Sequence, residues 1–93
     1  MRTIAFDPLA RDDFLQQLDY LIANHAFDAA LNLERQFKSF LYQTLATFPL
    51  VGHSTSRPGI FESVVPHTRL LVWYRFTEDT IEIVRIWHSS QTR

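Results

Sequence analysis

Both glycines and two of the four prolines of this chain fall within eleven consecutive residues, Pro49-Leu-Val-Gly-His-Ser-Thr-Ser-Arg-Pro-Gly59, together with three small hydroxyl residues. A run of that composition cannot continue a helix, and its prolines lack the backbone donors that the middle of a sheet requires. It reads as a surface crossover, and it cuts the 93 residues into two parts of different period. The part before it repeats at helical spacing, and the part after it reads as strands.

Residues 2–6 read as a short strand ended by Asp7-Pro8. That pair suits a helix start: aspartate caps, and proline at the first helical position gives up a donor that would have had no partner. Phe14, Leu18, Leu21 and Ile22 then share one face, while Asp12, Asp13, Gln16, Gln17 and Asp19 are polar, with Asp12 and Asp13 at the positive end of the helix dipole. This helix is expected to end near Asn24-His25. A second is expected from Phe27-Asp28, with Asp28 as its cap and Ala30, Leu33, Phe37, Leu41 and Leu45 as its stripe. Glu34 and Lys38 stand four apart in the favourable order, and Phe48-Pro49 stops the helix. So short a connection makes the two helices an antiparallel hairpin.

After the crossover, Ile60–Val65, Arg69–Phe76 and Ile81–His88 are rich in β-branched and aromatic residues, separated by Pro66-His67-Thr68 and Thr77-Glu-Asp-Thr80. The order β-α-α-β-β-β implies one α+β domain over residues 1–93, with two layers: the helical hairpin on one face of an antiparallel sheet. A tight turn at Glu78-Asp79 pairs Phe76 with Ile81, Arg75 with Glu82, Tyr74 with Ile83, Trp73 with Val84, Val72 with Arg85 and Leu71 with Ile86. One face then carries Leu70, Val72, Tyr74, Phe76, Ile81, Ile83 and Trp87, interrupted only by Arg85, and belongs under the helices. The other carries Arg69, Leu71, Trp73, Arg75, Glu82, Val84, Ile86 and His88. A face this apolar, with two arginines and a histidine, fits a partner or ligand. Within it, Arg75 and Glu82 read more simply as an ordinary cross-strand ion pair.

The composition is that of one globular domain, 46% apolar, with eight Phe, three Tyr and two Trp to make a small core dense. There is no cysteine, which excludes disulfides and thiolate metal sites and fits a reducing, cytoplasmic setting. The start Met1-Arg-Thr-Ile-Ala-Phe6 runs straight into Asp7-Pro8, so neither a signal peptide nor a membrane span is expected. The net charge of −1 is unlike the large positive excess of a general nucleic-acid binder. All five basic residues after Phe48 are arginine, the side chain suited to bidentate contact with carboxylate or phosphate, so any polyanion site belongs to that half.

No hydrolase or metal signature stands out. His25, His53, His67 and His88 show no i, i+4 pairing, so neither a metal nor another cofactor is expected. No serine sits in a Gly-x-Ser-x-Gly turn.

Pro49-Leu-Val-Gly52, Arg57-Pro-Gly59 with Glu62-Ser-Val-Val65, Leu71-Val-Trp-Tyr-Arg75 and Ile83-Val-Arg-Ile-Trp-His-Ser-Ser-Gln91 resemble the RelE/ParE superfamily of toxins from bacterial type II toxin–antitoxin systems in order and spacing. The resemblance spans nearly the whole chain, and its most specific part is the Ile-x-Arg-Ile-Trp-His-Ser-x-Gln ending. It implies a helical hairpin on a sheet whose first strand lies beside its last, and a cognate antitoxin that wraps the toxin into a hetero-oligomer and covers Trp73. It also implies one of two activities. ParE-like members poison DNA gyrase by binding. RelE-like members are ribosome-dependent mRNA interferases, metal-independent endoribonucleases, for which Arg69, His88 and Arg93 are the candidates here, His88 as acid or base and an arginine as phosphate clamp. Phe61 stands where many members carry an arginine, and the only lysine, Lys38, is on a helix. With the near-neutral charge, this favours the poison; a member that only binds antitoxin is the third reading. The expected contact surface for target or antitoxin is Arg69, Leu71, Trp73, Arg75, Val84, Ile86, His88 and Gln91.

Overall fold

Asp7 takes extended backbone angles (φ −64°, ψ 142°), and its side chain accepts a hydrogen bond from the Leu9 N–H at 2.9 Å. Pro8 therefore opens helix α1 (Pro8–Ala23) as the first helical residue. The computed structural model describes residues 1–90. At the far end of α1, His25 adopts φ 58°, its N–H donates to Ile22 O (3.0 Å) and the Ala26 N–H donates to Leu21 O (2.8 Å). That closure of a helix end is ordinarily given to glycine, so His25 has a conformational task. Helix α2 (Phe27–Ser39) begins two residues later.

Two details of the hairpin differ from expectation. Asp28 is not the cap of α2: Ala26 occupies that place without a side-chain hydrogen bond, and Asp28 lies inside the first turn, where its charge still meets the positive helix end. Ile22 is 47% exposed, because the buried face of α1 runs through Ala10, Phe14, Leu18 and Leu21. The stripe of the second helix is as expected, with Ala30, Phe37, Leu41 and Leu45 buried. Its last part, Phe40–Leu45, is wound more widely, the Ala46 N–H reaching back five residues to Leu41 O (3.0 Å). Phe40, Leu41, Leu45 and Ala46 are all buried there.

The sheet contains β1 (Thr3–Phe6), β2 (His53–Ser54), β3 (Phe61–Val64), β4 (Leu70–Phe76) and β5 (Thr80–His88), in the order β1-β5-β4-β3-β2. Strand β2 is an addition from inside the crossover, after a short helical turn at Pro49–Val51. The strands from β2 to β5 pair antiparallel, but β1 lies parallel to β5, Ile4 opposite Ile81, so the sheet is mixed. Parallel neighbours need a long connection, and here everything between the first and last strands supplies it. The core joins Ala10, Phe37, Phe40, Leu41 and Leu45 of the helical layer to Val65, Leu70, Val72, Tyr74, Ile81, Ile83 and Ile86 of the sheet.

The last hairpin follows the expected register for three pairs: Phe76–Ile81, Arg75–Glu82 and Tyr74–Ile83. A bulge then intervenes, Trp73 facing Arg85 instead of Val84, and Val72 pairs with Ile86, Leu71 with Trp87 and Leu70 with His88. Because side chains alternate along a strand, one extra residue exchanges the faces of all later positions. Ile86 goes into the core (1% exposed), Trp87 leaves the helix side and His88 comes to it. The bulge coincides with a change of neighbour: β1 ends at Phe6 opposite Ile83, and beyond it the edge of β5 meets α1. There Asp13 accepts the Ile86 N–H (2.9 Å), Arg85 Nε (2.7 Å) and Arg85 Nη2 (2.9 Å).

Candidate functional site

Two surfaces carry polar chemistry, one on each side of the sheet. The first is a cleft of about 620 Å³ where the ends of β4 and β5 approach the helical hairpin. The turn between β3 and β4 shapes it. His67 takes φ 64°, and Thr68 Oγ1 donates to Val65 O (2.8 Å) and accepts the Leu70 N–H (3.1 Å). Arg69 is thereby set beside the end of β5, its carbonyl accepting the Ser89 N–H at 2.8 Å.

His67, Arg69, His88 and Ser90 line one wall of the cleft, Gln16, Gln17, Tyr20 and Asn32 the other, over a floor of Leu21, Leu33 and Leu70. No carboxylate is among the described lining residues, so Arg69 makes the local potential positive. The Ser90 N–H donates to His88 Nδ1 at 3.2 Å, and Ser90 Oγ lies 2.7 Å from the same nitrogen. A ring nitrogen that accepts from a backbone N–H is unprotonated in the neutral imidazole, which places the proton on Nε2. The cleft is thus suited to an anion, a carboxylate or a phosphate, held by arginine and imidazole.

The second surface is the sheet face away from the helices. It was expected to present Trp73 bare, but Trp73 is 8% exposed and Leu71 6%. The chain supplies the cover itself. The Trp73 indole N–H donates to Glu62 Oε2 (2.6 Å), the Arg57 guanidinium stands 5.5 Å from its ring centre and Trp87 meets it edge-on at 5.5 Å. His53 Nε2 lies 3.6 Å from Glu62 Oε1. Arg85, gripped by Asp13, lies over the Trp87 ring at 4.3 Å, and the hydrogen bond to Asp13 pushes the guanidinium pKa up. The Trp87 indole N–H is buried with no acceptor among the described residues.

On the helix-covered face, one phenol fixes the crossover to the sheet. Tyr74 O–H donates to Pro49 O (2.5 Å) and its oxygen accepts the Gly52 N–H (3.0 Å). Burial pushes the Tyr74 pKa up, against the opposing effect of the Gly52 hydrogen bond. Gly52 must be glycine because a Cβ there would stand 2.5 Å from the Tyr74 hydroxyl and 2.7 Å from Glu62 O.

The expected site residues therefore divide. Arg69 and His88 share the cleft; Leu71 and Trp73 lie beneath their own chain on the opposite face; Ile86 is core and cannot contact a partner. Val84 is the extra residue of the bulge. Arg75 is exposed and bound to Glu82 at 2.5 Å, a hydrogen bond that raises its pKa. Gln91 and Arg93 lie outside the described residues. Sequence reasoning missed His67, whose place comes from its positive φ in the five residues between β3 and β4, and Asp13, which signalled only a polar position near the positive helix end. It also missed Arg57 and Glu62 as the cover of Trp73.

Comparison with known proteins gives a consistent picture. A family model described as the ParE toxin of type II toxin–antitoxin systems, parDE, matches residues 4–93. No curated protein matches significantly. Among solved structures, the chain is similar to the chromosomal ParDE system of P. aeruginosa, with 20% identity, a TM-score of 0.70 and coverage of 95% of this chain and 96% of that one. It is similar to the RelBE2 toxin–antitoxin complex of Mycobacterium tuberculosis, with 22% identity, a TM-score of 0.67 and coverage of 97% and 93%. A conserved protein of Helicobacter pylori, HP0894, shares 19% identity at a TM-score of 0.63, with 98% of both chains covered. At such identities these likenesses establish the fold alone.

Proposed function

The chain belongs to the ParE toxin family of type II toxin–antitoxin systems, and from that premise we propose that it poisons DNA gyrase and is held inactive by a cognate antitoxin. The observation that carries this reading is the match to the ParE model along residues 4–93. The ParDE and RelBE2 neighbours, one a toxin–antitoxin system and the other a toxin–antitoxin complex, support a protein partner of the antitoxin kind. The proposed contact surface is the cleft lined by Arg69 and His88; the burial of Leu71 and Trp73 supports it over the Trp73 face.

A second reading, cleavage of mRNA on the ribosome, draws on one observation, that Arg69 and His88 line the same cleft. Controlled expression in a bacterial host separates the two. The gyrase reading expects growth arrest with a DNA-damage response, relieved by co-expressing a cognate antitoxin. It also expects Arg69→Ala to weaken the arrest while the fold is retained. Arrest of translation with cut mRNA, abolished by His88→Ala, overturns it.

A further inference from the structure

Pro66 and His67 make the corner between β3 and β4. The Thr68 N–H donates to Val65 O at 3.2 Å, which closes a turn with Pro66 in its second position and His67 in its third. Proline fixes a negative φ at the second position, and His67 stands at φ 64°, the combination of a type II turn. The third position of that turn ordinarily goes to glycine or asparagine, because most side chains there crowd their own backbone. This chain keeps an imidazole at that place, and the imidazole lines the cleft with Arg69 and His88. His25 has the same sign of φ at a helix end, but its ring lies against Phe27 at 6.0 Å and not in the cleft.

Thr68 holds this conformation in place. Its hydroxyl donates to Val65 O (2.8 Å) and accepts the Leu70 N–H (3.1 Å), so one side chain joins both ends of the turn. Arg69 has a separate anchor, its carbonyl accepting the Ser89 N–H at 2.8 Å. We propose that His67 is a further ligand-contacting residue of the cleft, donating an imidazole N–H to an oxyanion held by Arg69, and that Thr68 is its positioning residue. This rests on the reading of the cleft as the functional surface. A strained backbone persists where the surrounding bonds over-determine it, and such residues gather at ligand contacts. Even a neutral imidazole keeps one N–H, so His67 can donate whether or not it carries charge. With one guanidinium and no carboxylate among the described lining residues, the cleft suits a carboxylate or a phosphate group, both of which accept from such donors.

The test titrates the purified full chain with inorganic phosphate and, separately, with acetate at constant ionic strength, and follows the imidazole and guanidinium signals by NMR. Acetate reports a carboxylate-bearing ligand and phosphate a phosphorylated one. The anion that binds moves the His67 and Arg69 signals together, with one dissociation constant, and Arg69→Ala abolishes its binding. His67→Gly, which suits the turn and so keeps the fold, weakens binding about fivefold, the worth of one hydrogen bond. Thr68→Val weakens it by a similar factor, and Thr68→Ser, which keeps the hydroxyl, binds as the wild type does. In a His67→Gly background Thr68→Val adds little, because the hydroxyl acts through the imidazole. Wild-type binding by His67→Gly overturns the contact, and so does the absence of binding by either anion. Losses that add in the double variant overturn the positioning role. The chain is assayed alone, so the two readings fail separately: anion binding through His67 with gyrase supercoiling unimpaired supports this contact and removes the gyrase reading.

Discussion

Asp13 on α1 accepts the backbone N–H of Ile86 on β5 at 2.9 Å, across 73 residues of sequence, at the place where a neighbouring strand has run out. The same carboxylate holds Arg85 through two nitrogens. One helix side chain thus closes a sheet edge and fixes the arginine that overlies Trp87. Asp13→Ala leaves a strand N–H and a half-buried guanidinium without their acceptor, and should cost about 2–4 kcal/mol in chemical denaturation. A loss under about 0.5 kcal/mol would show that water replaces Asp13 at no cost.

Tyr74 ties the crossover to the sheet through Pro49 and Gly52. Tyr74→Phe should lower stability by about 1–2 kcal/mol through those two lost hydrogen bonds. Since burial raises the folded-state pKa, the phenol's contribution is complete below its ordinary value of 10.0 and is lost as pH rises through the folded value. Denaturation measured from about pH 8 to about pH 12, a span that brackets an ordinary phenol, should show the wild type losing more stability than Tyr74→Phe. Parallel curves would contradict this.

His25 holds a left-handed backbone that glycine adopts freely. His25→Gly should raise stability by about 0.5–1 kcal/mol if relieved strain outweighs the entropy glycine adds to the unfolded chain. A destabilised variant would mean that the imidazole contact with Phe27, 6.0 Å between ring centres, matters more than the backbone.

Much of the fold was legible because it rests on local signals. Asp7-Pro8 announces α1, and the spacing of Ala30, Leu33, Phe37 and Leu41 announces α2. The turn at Glu78-Asp79 sets Arg75 against Glu82. The site was less legible, because its geometry depends on one bulge that no local propensity encodes. The single arginine interrupting an otherwise apolar face was the available clue: moving Arg85 outward also brings Ile86 in beside Ile83, and that exchange carries His88 toward the helices. The cover of Trp73 by Arg57 and Glu62 comes from the crossover folding back, which sequence spacing does not report.

Phe37 is 3% exposed between Phe6 and Phe14. Phe37→Ala should cost about 3–5 kcal/mol, the range for emptying a packed aromatic site. Thermal denaturation will check it, and a loss below about 1 kcal/mol would mean the two helices repack around the cavity.

The central claim, a toxin that acts by binding gyrase, is tested most directly by adding the purified chain to DNA gyrase with relaxed plasmid and ATP. Supercoiling should stop and cleaved DNA should accumulate, with the effect weakened by Arg69→Ala. Unimpaired supercoiling, together with codon-dependent cleavage of mRNA in a reconstituted translation reaction that His88→Ala abolishes, would contradict it.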